Sequence, residues 1–213
     1  PNFQLFNTAD DILDPTLRYP LISKLNEIHG SVEITKNAVS DNEKQLRSRL
    51  RFLINTYEQP VLVEEFIVGR EFTAILLEGL NKKVYLTEKI FTDKKSKYVF
   101  ATFEDLWSHD NYNAFTYQKY EDDILNVYVK RAFSIVRMAD YAKFDIRMDS
   151  SGRYFFLDTN CNPAFGPKET ACALSVILDV YGINFYEILK RLLLNTMRDM
   201  AGKSLLPMPE NNK

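Results

Sequence analysis

Two aspartates and an asparagine stand where a tight hairpin would bring them to one surface. Asp145 precedes the run Asp149-Ser150-Ser151-Gly152, whose residue types favour a chain reversal, and Asp158 and Asn160 follow it. If the loop holds an even number of residues, Asp145 lies opposite Phe156 and is a diagonal neighbour of Asp158, at roughly 7–8 Å. Carboxylate and amide oxygens are the ligands that Mg²⁺ prefers, with substrate phosphates completing its shell.

The same even-numbered loop predicts the two faces of the hairpin. Side chains alternate along a strand, so Lys143 and Arg147 would lie beside Asp145 and neutralise the carboxylates or meet an anion. The opposite face is predicted to be core, and its members are Phe144, Ile146, Met148, Phe155 and Leu157. A solvated sheet face with ordinary cross-strand ion pairs has the same pattern. The hairpin alone does not decide between these two interpretations.

Short apolar runs bounded by polar residues predict the strands that accompany this hairpin. These runs are 20–25, 31–35, 61–67, 71–77 and 84–90. A turn at Val68-Gly69-Arg70 predicts that 71–77 returns alongside 61–67. The Lys-rich segment 93–98 predicts a mobile loop.

Apolar residues at helical spacing predict three longer helices, and a short helix is predicted near 10–13. The longer helices cover 46–57, 124–139 and 185–200, the first begun by a capping box of Ser40 and Glu43. Because strands and helices do not alternate regularly, the predicted fold class is α+β rather than a doubly wound sheet.

The composition excludes several classes of protein. Lys and Arg total 27 against 29 Asp and Glu, so no basic excess predicts a nucleic-acid partner. The apolar runs are too short to span a bilayer, so no membrane partner is expected. Cys161 and Cys172 predict free thiols in a reducing, cytoplasmic setting rather than a disulfide framework. A first residue Pro1 without a targeting segment leads us to expect a piece of a longer protein.

Four segments, in order, resemble ATP-grasp enzymes of the D-alanine–D-alanine ligase type, over about residues 15–195. Asp145-Ile146-Arg147-Met148-Asp149 with 156–163 is similar to the family's paired-strand metal motif. The segment 61–71 resembles the one that holds adenosine, and 20–24 resembles the strand whose lysine contacts ATP phosphates. The segment 93–98 is similar to the family's mobile loop.

The resemblance implies ATP and Mg²⁺ as cofactors, with two ions expected and Mn²⁺ as an alternative. The implied metal ligands are Asp145, Asp158 and Asn160. The implied nucleotide contacts are Lys24, Glu64, Glu65, Phe66, Ile67, Glu71, Lys97, Tyr98 and Leu157. Among these, Glu64 would receive the adenine amino group and Glu71 would accept the ribose hydroxyls. Lys143 and Ser31 are the implied catalytic residues.

Several positions depart from the family's pattern. The phosphate-covering loop, usually Gly-Ser-Ser-x-Gly, reads His29-Gly30-Ser31-Val32-Glu33, so two glycines are lost and an anion stands where phosphates should approach. Asp158 replaces a common glutamate. Lys143 replaces an arginine, which keeps the charge but loses the bidentate geometry.

The resemblance implies a carboxylate–amine ligase that forms an amide bond through an acylphosphate, with an amino acid or similar small carboxylate as substrate. It implies an ATP-grasp fold of two α+β subdomains with the nucleotide cleft between them: 1–66 as the small central subdomain and 67–206 as the large C-terminal one. Residues 207–213 are expected to be a disordered tail, and the N-terminal substrate domain to be missing. The fragment is predicted to be inactive alone, and the full-length protein to be a homodimer. The alternatives are a degenerate module that binds nucleotide without ligase activity, and an ATP-grasp enzyme with a different acceptor.

Overall fold

The computed structural model describes residues 1–79, 81–93, 95–108 and 114–197. The chain divides into two compact units, each built from several stretches. Unit 1 comprises Pro1–Arg70, Ile90–Thr116 and Arg147–Phe155, and unit 2 comprises Glu71–Lys89, Tyr117–Ile146 and Phe156–Lys213. The predicted tail at 207–213 lies outside the described residues. None of the helices in the described ranges has the length and hydropathy that a bilayer crossing requires.

Nine strands and five α-helices make up the described part of the fold, which confirms the predicted α+β class. The strands are β1 Phe3–Phe6, β2 Leu21–Leu25, β3 Val39–Ser40, β4 Val61–Glu65, β5 Gly69–Leu77, β6 Lys83–Phe91, β7 Phe115–Lys119, β8 Tyr141–Asp149 and β9 Tyr154–Asn160. The helices are α1 Glu43–Tyr57, α2 Phe103–Trp107, α3 Asp123–Ile135, α4 Ala173–Val180 and α5 Phe185–Thr196.

A four-stranded sheet of order β1-β4-β2-β3 forms the core of unit 1 together with α1. Strand β4 lies between β1 and β2 and pairs antiparallel with both. The apolar stripe of α1 packs on it through Leu46, Leu50 and Leu53, all fully buried with Val61 and Val63. This burial explains why the helix forms where the apolar spacing predicts it.

A five-stranded sheet has the order β7-β6-β5-β8-β9. Strands β5 and β6 pair antiparallel, with Phe72 opposite Glu88 and Thr73 opposite Thr87. In unit 2, α4 and α5 cover one end of one sheet face by packing on Ile75 and Leu77. Side chains alternate along a strand, so Glu71 and Thr73 share that face with Ile75 and Leu77.

Four predictions about local structure are wrong. Residues 31–35 form turns rather than a strand, because Ser31 and Glu33 adopt left-handed backbone angles, with φ of 61° and 63°. Strand β5 does not return alongside β4, since the two belong to different sheets. No helix forms at 10–13. Helix α1 begins at an Asn42 cap, whose side chain accepts from the Gln45 amide, and Ser40 instead lies in β3.

Two element boundaries differ from those predicted, although the elements exist. Helix α3 ends at Ile135 rather than at 139. Helix α5 ends at Thr196 rather than at 200, and the described residues end at 197. Segments 20–25, 61–67 and 84–90 contain strands β2, β4 and β6, as predicted.

The hairpin of β8 and β9 is confirmed, but its loop is shorter by one residue than the even-numbered loop assumed. The Asp149 amide donates to the Arg153 carbonyl at 3.1 Å, which leaves a three-residue loop closed by Gly152 at φ 83°. In a continuous ladder from that pair, Leu157 rather than Phe156 lies opposite Asp145. The rings of Phe144 and Phe156, 5.9 Å apart, agree with this register. The argument that placed Asp145 on one face with Phe156, and therefore with Asp158 and Asn160, is wrong, because alternation in this register puts those three residues on the opposite face.

Candidate nucleotide and metal site

The end of β4 brings two of the predicted nucleotide residues of unit 1 together. Glu64 and Lys24 form an ion pair, because Ile22 lies opposite Glu64 and Lys24 is two residues further along β2. The side chain of Glu65 accepts from the Arg18 amide at 3.0 Å and from Asn2 at 3.1 Å. Alternation along β4 thus gives the two neighbouring glutamates different partners.

The segment after β4 is fixed by an arginine for which the sequence suggested another role. Arg147 is 3% exposed and donates to the carbonyls of Ile67, at 2.7 Å, and of Gly69 and Val99, at 2.9 and 3.0 Å. Its guanidinium lies 4.9 Å from the ring centroid of Phe66. Arg147 therefore holds the backbone of the predicted adenine segment. The prediction that it lies beside the hairpin carboxylates to neutralise them or meet an anion did not anticipate this role.

The Phe66 side chain is packed among other aromatic rings and is buried. It is 7% exposed, and its ring centroid lies 5.2 Å from that of Tyr98 and 5.4 Å from that of Phe100, both edge-on. Edge-on aromatic pairs at this separation stabilise a fixed orientation. Within unit 1, these contacts join the predicted adenine segment to the predicted mobile loop.

Lys97 and Tyr98, the predicted lysine–tyrosine pair, share one acceptor. The Lys97 ammonium lies 2.7 Å from Asp41 Oδ1, and the Tyr98 hydroxyl donates to the same oxygen. The hydrogen bonds from Lys97 and Tyr98 hold the pKa of Asp41 below its usual range. The loop is therefore tied to the residue that precedes the α1 cap, an anchor that the sequence did not suggest.

The divergent phosphate loop adopts left-handed backbone angles at three residues, although only one of them is a glycine. Gly30, Ser31 and Glu33 all have positive φ. The Glu33 carboxylate accepts from Arg49 Nη2 at 2.9 Å and from the Tyr57 hydroxyl at 2.8 Å. This hydrogen bond, with burial, raises the pKa of Tyr57. The anion that seemed to oppose phosphates is thus already paired within unit 1.

A second contact braces the same loop from α2. The indole N–H of Trp107 donates to the Gly30 carbonyl at 2.8 Å, and the Phe103 amide donates to the Ile34 carbonyl at 2.8 Å. Trp107 is the only tryptophan of the chain. Its fluorescence therefore reports on the environment of this loop.

Unit 2 contains a set of polar side chains on the same sheet face, beyond the end that α4 and α5 cover, and we call this set the polar layer. Its members are Glu71, Thr73, Thr87, Lys89, Tyr117, Lys143 and Asp145. Lys89 lies 2.7 Å from Glu71, and the Thr87 hydroxyl donates to the Thr73 carbonyl at 3.0 Å. The predicted ribose residue Glu71 and the predicted metal residue Asp145 thus belong to one polar layer, which is buried at Glu71 and partly buried at Asp145.

Asp145 is held as a carboxylate by its neighbours in the polar layer. Lys143 pairs with one of its oxygens, and the Thr73 hydroxyl donates to the other at 3.2 Å. Burial opposes ionisation of Asp145, but the ammonium groups of Lys143 and Lys89 and these hydrogen bonds outweigh it and lower its pKa. The predicted catalytic residue Lys143 is therefore in direct contact with a predicted metal ligand.

The other two predicted metal ligands lie at the end of β9. Asp158 is exposed, and one of its oxygens accepts from the Thr159 amide at 2.9 Å. The side-chain oxygen of Asn160 accepts from the Asn162 amide at 2.9 Å. Within the described ranges no group of three or more His, Cys, Asp or Glu could hold a metal, whereas the predicted set combines two carboxylates with an amide. Such hard oxygen donors fit Mg²⁺ chemically.

Sequence reasoning missed Lys89, Thr73 and Tyr117. The sequence contains a signal for Lys89. In β6, Tyr85, Thr87 and Lys89 alternate onto one sheet face, and Ile75 and Leu77 of β5 form the apolar part of that face. A charged residue at such a position requires a partner. The partner itself, Glu71, follows only from the pairing of β5 with β6.

Comparison with known proteins places this geometry in one family. The family model described as D-ala D-ala ligase C-terminus matches residues 5–194. The D-alanine–D-alanine ligase of Saccharophagus degradans is 28% identical over 143 residues, which are 66% of this chain and 43% of that protein. The ligase of Haemophilus influenzae is 25% identical over 190 residues, 83% of this chain and 56% of that protein. The chain therefore spans about half the length of the curated relatives it matches.

Solved structures share the fold. The D-alanine–D-alanine ligase of Bacillus anthracis complexed with ATP matches with a TM-score of 0.64 and 18% identity, covering 90% of this chain and 58% of that one. The L-amino acid ligase of Bacillus licheniformis matches with a TM-score of 0.59 and 19% identity, covering 90% and 43%. These likenesses confirm the predicted ATP-grasp architecture.

Proposed function

Because the chain belongs to the D-alanine–D-alanine ligase C-terminal family, we propose that it is the nucleotide- and metal-binding part of an ATP- and Mg²⁺-dependent carboxylate–amine ligase. The observation that carries the proposal is Asp145, a partly buried carboxylate that contacts the Lys143 ammonium and the Thr73 hydroxyl and is kept ionised by them and by Lys89. A carboxylate in that state is ready to accept a divalent cation.

Each residue of the proposed site has a distinct task. Asp145, Asp158 and Asn160 are the proposed ligands of Mg²⁺, which would neutralise the phosphate oxygens and the charge that develops on the transferred group. Asp158 and Asn160 face away from Asp145 in the hairpin, so they would reach the cation around the edge of the sheet, where β9 is the last strand. The roles of Asp158 and Asn160 rest on the family resemblance. Lys143, beside Asp145, would stabilise the negative charge of an acylphosphate.

The nucleotide would be held by the two paired glutamates and by cations of unit 1. Glu64 would accept from the adenine amino group and Glu71 from the ribose hydroxyls. Lys24 and Lys97 would contact phosphate oxygens. Ser31, in the phosphate loop, is the second proposed catalytic residue beside Lys143. The proposed reaction is amide formation between two small amino acids, because the curated relatives are D-alanine–D-alanine ligases. We propose that the protein acts in the cytoplasm and that the full-length protein is a homodimer.

A nucleotide-binding module without ligase activity is the second candidate. Glycine is absent at positions 29 and 33, which favours this candidate because backbone amides close less freely on phosphates there. The pairing of Glu33 with Arg49 weakens it, since the anion is already neutralised. An enzyme with a different acceptor is a third reading, in keeping with the shared fold of an L-amino acid ligase.

Calorimetry of the 213-residue chain with ATP tests the metal role. We expect Mg²⁺ to tighten ATP binding by tenfold or more, about 1.4 kcal/mol or greater. Asp145→Asn and Asp158→Asn, made singly, should each abolish the tightening, whereas Asp123→Asn at the exposed start of α3 should retain it. Equal affinity of the wild-type chain with and without Mg²⁺ would contradict the proposal.

Release of ADP distinguishes the ligase from the binding module. The full-length protein is incubated with Mg·ATP and a panel of D- and L-amino acids. ADP release that depends on the amino acid supports the ligase and names its substrate. Nucleotide binding without such release supports the module.

A further inference from the structure

The pair of Lys89 and Glu71 is the most deeply buried ion pair among the described residues of unit 2. The two side chains are 6% and 9% exposed, and the ammonium lies 2.7 Å from Glu71 Oε1. Removing two charges from water is costly, and an apolar pair of similar volume is often equally stable. Stability alone therefore does not explain why a lysine occupies this position.

The surroundings of Lys89 connect the two ends of the polar layer. Asp145 and Tyr117 both interact electrostatically with its ammonium. Thr73 donates to Asp145 and lies one alternation step from Glu71 on β5. Burial opposes the charge of Lys89, but Glu71, Tyr117 and Asp145 outweigh it and raise its pKa well above the usual range. The ammonium is therefore retained at any ordinary pH.

We infer that Lys89 is a positioning residue: it fixes the Glu71 carboxylate in the orientation that accepts sugar hydroxyls, and through Asp145 it links sugar recognition to metal binding. The inference rests on the proposed function. It makes the choice of ribonucleotide over deoxyribonucleotide depend on a residue that need not touch the nucleotide. The Lys89 ammonium donates to Glu71 Oε1, and this contact sets the orientation of the carboxylate.

The test measures affinity for ATP, 2′-deoxy-ATP and 3′-deoxy-ATP by calorimetry in Mg²⁺, with the 213-residue chain. We expect the wild type to prefer ATP over the deoxynucleotides by about tenfold, the worth of a hydrogen bond to a charged group. Lys89→Met should reduce this ratio to about one. It should also weaken the effect of Mg²⁺ on ATP binding, which a merely structural lysine would leave unchanged.

Two further variants keep the test decisive. Lys83→Met removes an exposed lysine from the same strand and should retain the wild-type ratio. Lys89→Gln removes the charge but keeps a shorter, neutral hydrogen-bond donor, so it replaces Lys89→Met if that variant fails to fold. Because a neutral and shorter donor holds Glu71 less firmly, this variant should also prefer ATP less than the wild type does. Thermal unfolding checks that each variant is folded.

The outcomes separate the inference from the proposed function. If the wild type binds no nucleotide, both fail. If the wild type prefers ATP and folded Lys89 variants retain the full ratio and the full effect of Mg²⁺, the inference is overturned and the proposed function stands.

Discussion

The two glutamates proposed to hold the nucleoside are each paired with a lysine, but in different surroundings. In unit 1 the side chains of Lys24 and Glu64 are 24% and 10% exposed. In unit 2 the corresponding values for Lys89 and Glu71 are 6% and 9%. The lysine of the first pair reaches water, whereas that of the second does not.

This difference indicates different uses for the same ion pair. An ammonium that remains partly hydrated can exchange its carboxylate for a phosphate at little cost. A buried ammonium cannot leave its partner without exposing an uncompensated charge. Lys24 is therefore suited to contact a ligand, and Lys89 to hold a protein carboxylate in place.

The largest expected effect is on stability and compares the two lysines directly. Lys89→Met should lower the free energy of unfolding by about 3–5 kcal/mol, because Glu71 is left buried without its partner. Lys24→Met should lower it by less, about 1–3 kcal/mol, because Glu64 is also left without its partner but the Lys24 ammonium had kept part of its hydration. Urea denaturation of both variants measures the difference, and equal losses would mean that burial does not distinguish the pairs.

An intermediate effect is expected at the phosphate loop. Glu33→Gln should destabilise the chain by about 1–3 kcal/mol, because Arg49, whose side chain is 9% exposed, loses its charged partner. The affinity for Mg·ATP should change by less than about twofold, since the carboxylate is already neutralised in the wild type. A much larger gain in affinity would instead indicate that Glu33 repels phosphates. Trp107 fluorescence follows the loop in the same titration.

The smallest expected effect is a change in the acid side of the stability profile. Because the pKa of Asp145 is lowered in the folded chain, its contribution is present above the ordinary carboxyl pKa of about 3.9 and is lost as the pH falls through the folded value. The stability difference between wild type and Asp145→Asn should therefore be largest near pH 7 and shrink below about pH 4. Urea denaturation at pH 7, 5, 4 and 3 measures it. A difference that stays constant with pH would show that Asp145 gains nothing from its lysines.

Much of the fold followed from local patterns, and the errors have a common cause. Strands β2, β4 and β6 and the helix with Leu46, Leu50 and Leu53 were predicted because alternation and helical spacing act over a few residues. The strand at 31–35 was wrong because left-handed angles at Ser31 and Glu33 are not visible in residue types that normally avoid them. The boundary at 66 and 67 stays a prediction.

The candidate site shows the same limit at a single loop. The run Asp149-Ser150-Ser151-Gly152 predicted a hairpin correctly, yet whether the Asp149 amide pairs with Arg153 is decided by Gly152 taking φ 83°. One residue more or less in that loop moves every side chain of β9 to the other face. The sequence therefore named Asp145 and Asp158 without fixing their mutual orientation.

By itself, the sequence determined the family and the α+β class, because these depend on residue types at fixed spacings along the chain, and it supplied the residues that we propose contact a nucleotide or a metal. Only the tertiary structure decided their partners: Lys89 for Glu71, Arg49 for Glu33 and Arg147 for the Ile67 carbonyl. Each of these contacts joins residues at least 16 positions apart, and which atoms meet depends on strand register and backbone turns. The strength of each pair then depends on how much water the surrounding core excludes.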